Sequence, residues 1–448
     1  MPGARRAPAR GDGLRRLDSR PATLYDAPMS ATRPTPARRA IRKASAVAVL
    51  FLLAAVPAWA GITKGPYVVG VRPDGGEIVW ESDEPGAYSL GGGPLVPAAY
   101  DPSTRINGGD VAGLAPGTAV AYEVRAGGAS ARGSFVTAPP AGTPFSFVVI
   151  GDTQEDLPDD AHGSVVRAVL ARPRPPELYL NAGDLVHDGD SDADWARFFE
   201  VERDLLAHGV VVPAVGNHDA IRGEPARFLR YFRGRRYGVF RYGPALFVVM
   251  ETQRDFGRNT MQYRRIVQAL REAQGDPGIA FRFVLLHKPP VTAGHHLPNA
   301  TLLADWVRVF ERYHVDAVFA GHNHAYEHGR VNGIHYVVTG GGGGRLNPEF
   351  RRRSWTVAAE RSHHFCWVDV GPDSYTVTAI RPDGSVIESF TARRGEGGRR
   401  GLLPADLWWS MAVQRHYGKT AAAVALLASA AVVAFALRRA RRDRRRSA

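Results

Sequence analysis

Short apolar stretches that alternate with turn residues form the first part of the folded body. Four of them, YVVGV, EIVWES, AVAYEVRAG and RGSFVTA, lie between residues 61 and 140 and are separated by Gly, Pro and Asp. Even spacing without a helical period is typical of a small β-sandwich. Because this segment holds no cluster of catalytic residue types, we interpret it as a packing or presentation module.

The pattern changes after the Pro-rich linker TAPPAGTP at residues 137–144. Fully apolar runs, which predict buried strands, now alternate with amphipathic stretches such as SVVRAVLAR and YRRIVQALREAQ, which predict helices. This alternation indicates an α/β layered domain, which we expect to extend over residues 141–392. The Gly/Arg-rich stretch RRGEGGRRG then begins a linker at 393–419.

Two uncharged apolar runs lie near the ends of the chain. The first, at residues 44–60, follows a basic region at 1–43 that we expect to be disordered, and it ends in Ala-Trp-Ala, which predicts a signal peptide. The second, at 420–437, has the length of a short transmembrane helix and precedes the arginine-rich tail at 438–448. Since basic residues stay on the cytoplasmic side, we expect single-pass anchoring in the cell membrane, an extracytoplasmic body and a cytoplasmic C-terminus. Packed helices are the alternative interpretation of both runs.

The chain of 448 residues carries a formal net charge of +13. The excess lies in the tails, because residues 1–43 hold 11 basic and 3 acidic side chains and residues 438–448 hold 7 and 1. The remaining body is close to neutral, so we expect no nucleic-acid partner. The one cysteine, Cys366, lies in an apolar stretch and cannot form an intramolecular disulfide.

Polar side chains follow five of the apolar runs at the point where each run ends. They are GDTQ after FSFVVI, GD after ELYLNA, GNHD after VVVPAV, one His after FRFVLL, and GHNH after VDAVFA. Ligands of open α/β folds gather beyond the carboxyl ends of strands, so these five loops are expected to meet at one place. A run of five glycines at 340–344 either brings backbone near this place or forms a flexible turn.

The residue types in these loops suit metal ions. Carboxylate and imidazole donors favour Fe, Zn or Mn, and the absence of thiols from the loops argues against a structural zinc cage. Two such ions a few ångströms apart activate water and neutralise phosphoryl charge, and one carboxylate must bridge them. Asp184, in the sequence NAGDLVHDGD, is the candidate for that bridge.

In chain order, the motifs GDTQ, GDLVHDG, GNHD, VLLH and GHNHAYEH resemble those of the calcineurin-like metallophosphoesterase superfamily. They are most similar to purple acid phosphatase-like proteins, in which a fibronectin type III-like domain precedes the catalytic domain. The stretch LAPGTAVAYEV at 114–124 resembles one corner of such a domain. The resemblance covers residues 61–392 and implies a four-layer α/β/β/α sandwich with two metal ions. It also implies an acid phosphatase-like, metal-dependent hydrolase of phosphate esters.

Carried over by residue, the resemblance implies two ligand sets that share one aspartate. Asp152, Asp184 and His324 would hold the first metal ion, and Asp184, Asn217, His287 and His322 would hold the second. His218 would face the phosphoryl group as transition-state stabiliser or general acid, and Asp219 would orient it through a hydrogen bond. His295 and His296 resemble paired histidines on the substrate side of plant-type purple acid phosphatases, with an exposed loop pair as the alternative.

Two positions depart from the family pattern. Gln154 stands where other metallophosphoesterases carry His, and His187 stands where purple acid phosphatases carry the Tyr whose phenolate binds iron(III). Either His187 is an imidazole ligand of the first metal ion, or it is a rim histidine and Gln154 or water fills the site. In both cases no tyrosinate-to-iron absorption band arises from this position. The incomplete first set leaves an alternative function, a non-catalytic surface binding protein on a degenerate metallophosphoesterase scaffold.

Overall fold

The computed structural model describes residues 61–155, 160–348 and 351–409. The strands in these residues are β1 (Ile62–Arg72), β2 (Gly75–Ser82), β3 (Ala87–Leu90), β4 (Val96–Pro97), β5 (Ala99–Asp101), β6 (Ile106–Val111), β7 (Ala119–Ala126), β8 (Ala129–Val136), β9 (Phe145–Ile150), β10 (Leu178–Asn181), β11 (Val210–Pro213), β12 (Gly238–Tyr242), β13 (Ala245–Val249), β14 (Phe281–Leu285), β15 (Ala317–Ala320), β16 (Tyr326–Val331), β17 (Ile334–Thr339), β18 (Thr356–Glu360), β19 (Phe365–Val370), β20 (Ser374–Ile380) and β21 (Val386–Arg393). The helices are α1 (Ala161–Leu170), α2 (Asp192–Val201), α3 (Arg203–Ala207), α4 (Ala226–Tyr231), α5 (Met261–Gln274) and α6 (Val307–Arg312), the last preceded by a π-helical turn at Leu302–Trp306.

Several predicted segments lie outside the described residues. They are the basic region at 1–43, the signal peptide at 44–60, the transmembrane helix at 420–437 and the tail at 438–448. Within the part of the chain that is described, no helix has both the length and the apolar character needed to cross a membrane.

Two large sheets dominate the fold. One has ten strands in the order β21-β20-β19-β9-β10-β11-β1-β2-β6-β5, and the other has seven in the order β12-β13-β14-β15-β17-β16-β18. Strands β9, β10 and β11 are parallel neighbours in the first sheet, and β13, β14, β15 and β17 are parallel neighbours in the second. Parallel pairing brings the carboxyl ends of these strands to one edge of each sheet.

The apolar strands are buried on both faces, which explains their unbroken hydrophobic sequences. Phe147 of β9 lies in a core between the two sheets together with Phe283 of β14. The next residue, Val148, points the other way and belongs to a core with Trp195 of α2. On the second sheet, Val284 packs in an outer core that includes residues of α5 and α6. Two sheets inside and helices outside form the four-layer α/β/β/α sandwich.

The N-terminal segment is all-β, as predicted. Strands β4, β3, β7 and β8 form a separate four-stranded sheet, whereas β1, β2, β6 and β5 continue the ten-stranded sheet. The junction is a parallel contact between β1 and β11, with Val68 opposite Val210. Trp80 and Phe135 belong to the same core as Phe147. The segment is therefore hydrogen-bonded and packed onto the α/β region; its fibronectin type III-like character stays a prediction.

Candidate metal centre

The loops that follow the parallel strands adopt unusual backbone conformations. Asp152, Asp184 and His322 have φ angles of +58°, +54° and +71°, a left-handed region that residues with a side chain rarely occupy. Strain of this kind collects at functional sites, where the surrounding structure enforces it. Each of the three residues follows a glycine, and a Cβ on Gly321 would lie only 2.3 Å from a carboxylate oxygen of Asp152. The Gly-Asp and Gly-His pairs thus permit close approach of neighbouring loops.

The structure brings the predicted ligands together in two groups. The donor atoms of Asp184, His287 and His322 lie within 4.8 Å of one another, and so do those of Asp152, Asp184 and His324. Asp184 belongs to both groups, as a bridging carboxylate must. The Nε2 atom of His287 is 3.2 Å from Oδ2 of Asp184, and Nε2 of His324 is 3.4 Å from Oδ1 of Asp152.

Main-chain carbonyl groups orient two of the imidazole rings. Nδ1 of His287 donates a hydrogen bond to the carbonyl oxygen of Ala182 at 2.9 Å, and Nδ1 of His324 donates to that of Arg345 at 2.8 Å. Nε2 of each ring therefore faces the carboxylates, which is how histidine ligands of metal ions are commonly fixed. Asn217 contributes its Oδ1 atom, which lies 3.0 Å from Nε2 of His287.

The electrostatics of the centre favour positive charge between these groups. Burial lowers the pKa of His287, but Asp184 opposes this effect and the pKa rises to about 9. The pKa of His324 also rises to about 9, because Asp152 outweighs burial. Burial raises the pKa of Asp184, yet His287 and His218 bring it down to about 2, so the carboxylate is ionised. Such a donor set fits a pair of metal cations.

His218 and Asp219 lie at the centre, but the predicted hydrogen bond between them is replaced by other contacts. Nδ1 of His218 donates to the carbonyl oxygen of His187 at 2.7 Å, which leaves Nε2 for a substrate. The Asp219 carboxylate accepts from the backbone amides of Asp184 at 3.0 Å, Leu185 at 2.9 Å and Gly216 at 2.7 Å. Asp219 therefore holds two ligand loops together.

The structure also corrects the predicted ligand role of His187. Its side chain is exposed and belongs to neither donor group, and its ring centre lies 5.2 Å from that of His218. Its carbonyl oxygen accepts the hydrogen bond from Nδ1 of His218, and His187 lines a cavity of about 300 Å³ together with Thr153. Gln154 is placed differently: its Nε2 lies 3.3 Å from Nε2 of His324, and its buried Oε1 has no hydrogen-bond partner among the described residues. Of the two candidates, Gln154 is the one at the first donor group.

His295 and His296 lie beside the second donor group. The ring of His296 stacks on that of His322 with 4.2 Å between centres, and His295 lies 5.0 Å from His296. Buried Asn323 holds this loop, since its Oδ1 accepts from the His296 amide at 2.7 Å and its Nδ2 donates to the His296 carbonyl oxygen at 3.1 Å. Both histidines are exposed, so they are accessible from the open side of the centre.

Two supporting residues in the GHNHAYEH motif were missed from the sequence. Asn323 also donates to Thr292 at 3.0 Å, and Thr292 in turn donates to Glu327 at 2.6 Å. The Ala293 amide donates to the same carboxylate at 2.7 Å. Burial raises the pKa of Glu327 to about 7, although these hydrogen bonds oppose it. Their only sequence signal was a polar residue between two ligands and an acid just after them.

The glycine run at 340–344 lies against the first donor group. A Cβ on Gly340 would come within 2.7 Å of Oδ2 of Asp152, and one on Gly344 within 2.8 Å of Cε1 of His324. The Gly344 amide donates to the Asp152 carbonyl oxygen at 2.9 Å. Of the two interpretations of this run, close approach of the backbone to the site is therefore the correct one.

Comparison with known proteins agrees with this geometry. Residues 145–326 match the family model of the calcineurin-like phosphoesterases. A purple acid phosphatase of Glycine max is 28% identical over 250 residues, covering 49% of this chain and 52% of that protein. The Fe(3+)-Zn(2+) purple acid phosphatase 12 of Arabidopsis thaliana is 29% identical over 249 residues, covering 49% and 51%. The chain thus spans about half the length of the curated relatives it matches.

Solved structures share the fold at low sequence identity. A purple acid phosphatase from yellow lupin (Lupinus luteus) seeds superimposes with a TM-score of 0.64 at 18% identity, covering 77% of this chain and 78% of that one. PhoD superimposes with a TM-score of 0.56 at 13% identity, covering 81% and 99%. These two likenesses concern the fold alone.

The fold and the two donor groups agree with the match of residues 145–326 to the calcineurin-like phosphoesterases. The curated relatives that the chain resembles over this half of its length are purple acid phosphatases.

Proposed function

We propose that the protein is a metal-dependent phosphoester hydrolase, exported and held at the cell membrane with its catalytic region on the extracytoplasmic side. The observation that carries the catalytic part is the pair of donor groups joined by Asp184, with His218 beside them. Two metal ions, when bound, would supply activated water and neutralise charge on the phosphoryl group. Fe, Zn and Mn are the candidate ions, because the donors are oxygen and imidazole nitrogen.

The ligand residues divide between the two ions. Asp152, Asp184 and His324 would hold the first ion, with Gln154 beside it, and Asp184, Asn217, His287 and His322 would hold the second. The backbone amide of His218 donates to Oδ1 of Asp184 at 2.7 Å, and that of His322 donates to Asp152 at 2.9 Å. These amides fix both carboxylates before any ion binds, which reduces the reorganisation that binding requires.

His218 is the proposed proton donor to the leaving-group oxygen. Its Nδ1 proton is engaged by the carbonyl oxygen of His187 at 2.7 Å, so the proton that it would transfer is the one on Nε2. His295 and His296 would bind the phosphate ester from the side of His322. Cationic or donating groups on opposite sides of a phosphoryl group stabilise the charge that develops during its transfer.

Export and membrane attachment rest on sequence pattern. The apolar run at 44–60 with its Ala-Trp-Ala end supports a signal peptide, and the run at 420–437 with the arginine-rich tail supports a transmembrane helix. Alkaline extraction of membranes from the producing cells tests the anchor. The full chain should stay with the membranes, and release of the full chain into the supernatant would reject the anchor.

The catalytic proposal is tested by hydrolysis of aryl phosphate mono- and diesters. The full chain in neutral detergent is stripped with a chelator and then loaded with Fe, Zn or Mn, with Asp184→Asn as the control that loses the bridge. We expect turnover that requires metal and that the control lacks. No turnover with any ion and either ester, together with at most one ion per chain, would instead indicate a binding protein on this scaffold.

A further inference from the structure

An arginine-lined groove lies on the outer helical layer and shares no residue with the metal centre. The residues that define this arginine groove are Arg258, Arg271, Arg308, Arg312 and Arg400. It has a volume of about 610 Å³, and Asp305 is the only acidic residue among the described residues that line it. Because the body as a whole is near neutral, this face is a local concentration of positive charge.

Only part of this charge is neutralised within the protein. Arg258 pairs with Asp305 at 2.8 Å, and Arg308 pairs with Glu311 at 2.6 Å. Arg271, Arg312 and Arg400 form no ion pair with any residue that the structure describes. Guanidinium groups held around one groove repel each other, so an anion that enters the groove relieves this repulsion.

The described chain ends on the same helical layer. Arg308 donates to the carbonyl oxygen of Gly401 at 2.6 Å, and Leu407 is fully buried in the core that includes α5 and α6 residues. The next two residues, Trp408 and Trp409, are 52% and 63% exposed. Ten residues separate Trp409 from the uncharged run at 420–437. Exposed tryptophans beside basic groups are typical of the interface between membrane and water.

We infer that the arginine groove binds the phosphate groups of anionic lipids on the surface of the membrane that holds the chain. This inference rests on the membrane attachment proposed above. Arginine recognises phosphate with two parallel hydrogen bonds, and basic side chains close to an anionic surface each strengthen binding. A lipid surface fits better than a nucleic acid, because the chain continues from Arg400 in the groove to two exposed tryptophans, and an apolar run follows them in the sequence.

Labelling of arginine by phenylglyoxal tests the inference on the full chain. The protein is mixed with vesicles of phosphatidylcholine alone or of phosphatidylcholine with phosphatidylglycerol, and labelling rates are followed by peptide mass spectrometry. Arg271, Arg312 and Arg400 should be labelled on the order of tenfold more slowly with the anionic vesicles, and high salt should restore the rates. Arg203 and Arg330, which are exposed on other elements, serve as internal controls and should not change.

The outcomes separate the groove from the anchor. Equal labelling rates in both lipid compositions, or equal slowing at Arg203 and Arg330, would overturn lipid binding by the groove. Flotation of the chain with both kinds of vesicle would then still support the anchor. If the chain floats only with anionic vesicles and its groove arginines are protected from labelling, the anchor is rejected and lipid binding by the groove is supported. Protection by a short RNA as strong as that by anionic vesicles would overturn the lipid assignment in favour of a nucleic acid.

Discussion

Main-chain carbonyl groups orient three histidines of the metal centre. His287 donates to Ala182, His324 to Arg345 and His218 to His187. A carbonyl oxygen is present at every residue, so its use leaves no mark in the sequence. The sequence therefore predicted which imidazoles meet, whereas it assigned the orientation of His218 to the wrong partner, Asp219.

Replacement of His218 tests its role as proton donor. We expect His218→Ala to lower kcat by roughly 10²- to 10⁴-fold, because a positioned general acid contributes a factor of this size. Metal content should stay the same, since His218 belongs to neither donor group. The control is His187→Ala, which keeps the carbonyl that orients His218 and should retain most of the activity. Loss of metal from the His218 variant would point instead to a ligand.

Metal analysis distinguishes Gln154 from His187. Gln154→Ala should weaken binding of the first ion by roughly tenfold or more, as loss of a group next to a ligand does. His187→Ala should retain both ions, because His187 belongs to neither donor group. Neither variant should change the visible spectrum through this site, since no tyrosine stands at residue 187. A tyrosinate band that survives His187→Ala would show that the loop is assigned wrongly.

At the scale of elements, the fold follows from local pattern with few exceptions. Unbroken apolar runs predicted β9, β10, β11, β14 and β15, and amphipathic stretches predicted α1 and α5. The joining of β1 to β11 was not predicted, because the pairing of strands that lie 142 residues apart at Val68 and Val210 has no local signal. The same holds for the glycine run, whose sequence fits both a close contact and a flexible turn.

A single methyl group at Gly344 should disturb the first metal site. A Cβ there would lie 2.8 Å from the His324 ring and 3.3 Å from the Gln154 amide, so the ring must move. We expect Gly344→Ala to lose affinity for one ion of two, measured by titration of the metal-free protein. Gly238→Ala is the matched control, because a Cβ there meets nothing within 4 Å. Equal metal affinity in both variants would contradict this role of the run.

At the scale of the whole molecule, a buried acid makes stability depend on pH. Asp316 precedes β15, at the opposite end of that strand from His322, and accepts from the Arg282 amide at 2.8 Å. Burial raises its pKa from 3.8 to about 7, although the Arg282 amide and guanidinium oppose the shift. The folded state therefore binds a proton at Asp316 more tightly than the unfolded state does. The resulting contribution to the free energy of unfolding is complete below pH 4 and is lost as the pH rises through 7.

Asp316→Asn should remove that dependence while it keeps the acceptor for Arg282. As the pH rises from 4 to 8, the free energy of unfolding of the variant should increase by up to about 4 kcal/mol relative to that of the unchanged protein. Denaturant unfolding at several pH values measures the difference. Asp373→Asn, at an exposed aspartate, should follow the profile of the unchanged protein. Parallel profiles for Asp316→Asn and the unchanged protein would show that Asp316 is ionised in the folded state.

The sequence by itself determined the layered α/β class and the set of residues that meet at the centre. It could do so because strand burial and the donors at strand ends are local properties. Tertiary structure decided that the His187 side chain is exposed outside both donor groups, that Asp219 joins two ligand loops, and that five arginines from four segments line one groove. Each of these depends on contacts between residues far apart in the chain, where direction and distance are set by packing and not by residue type.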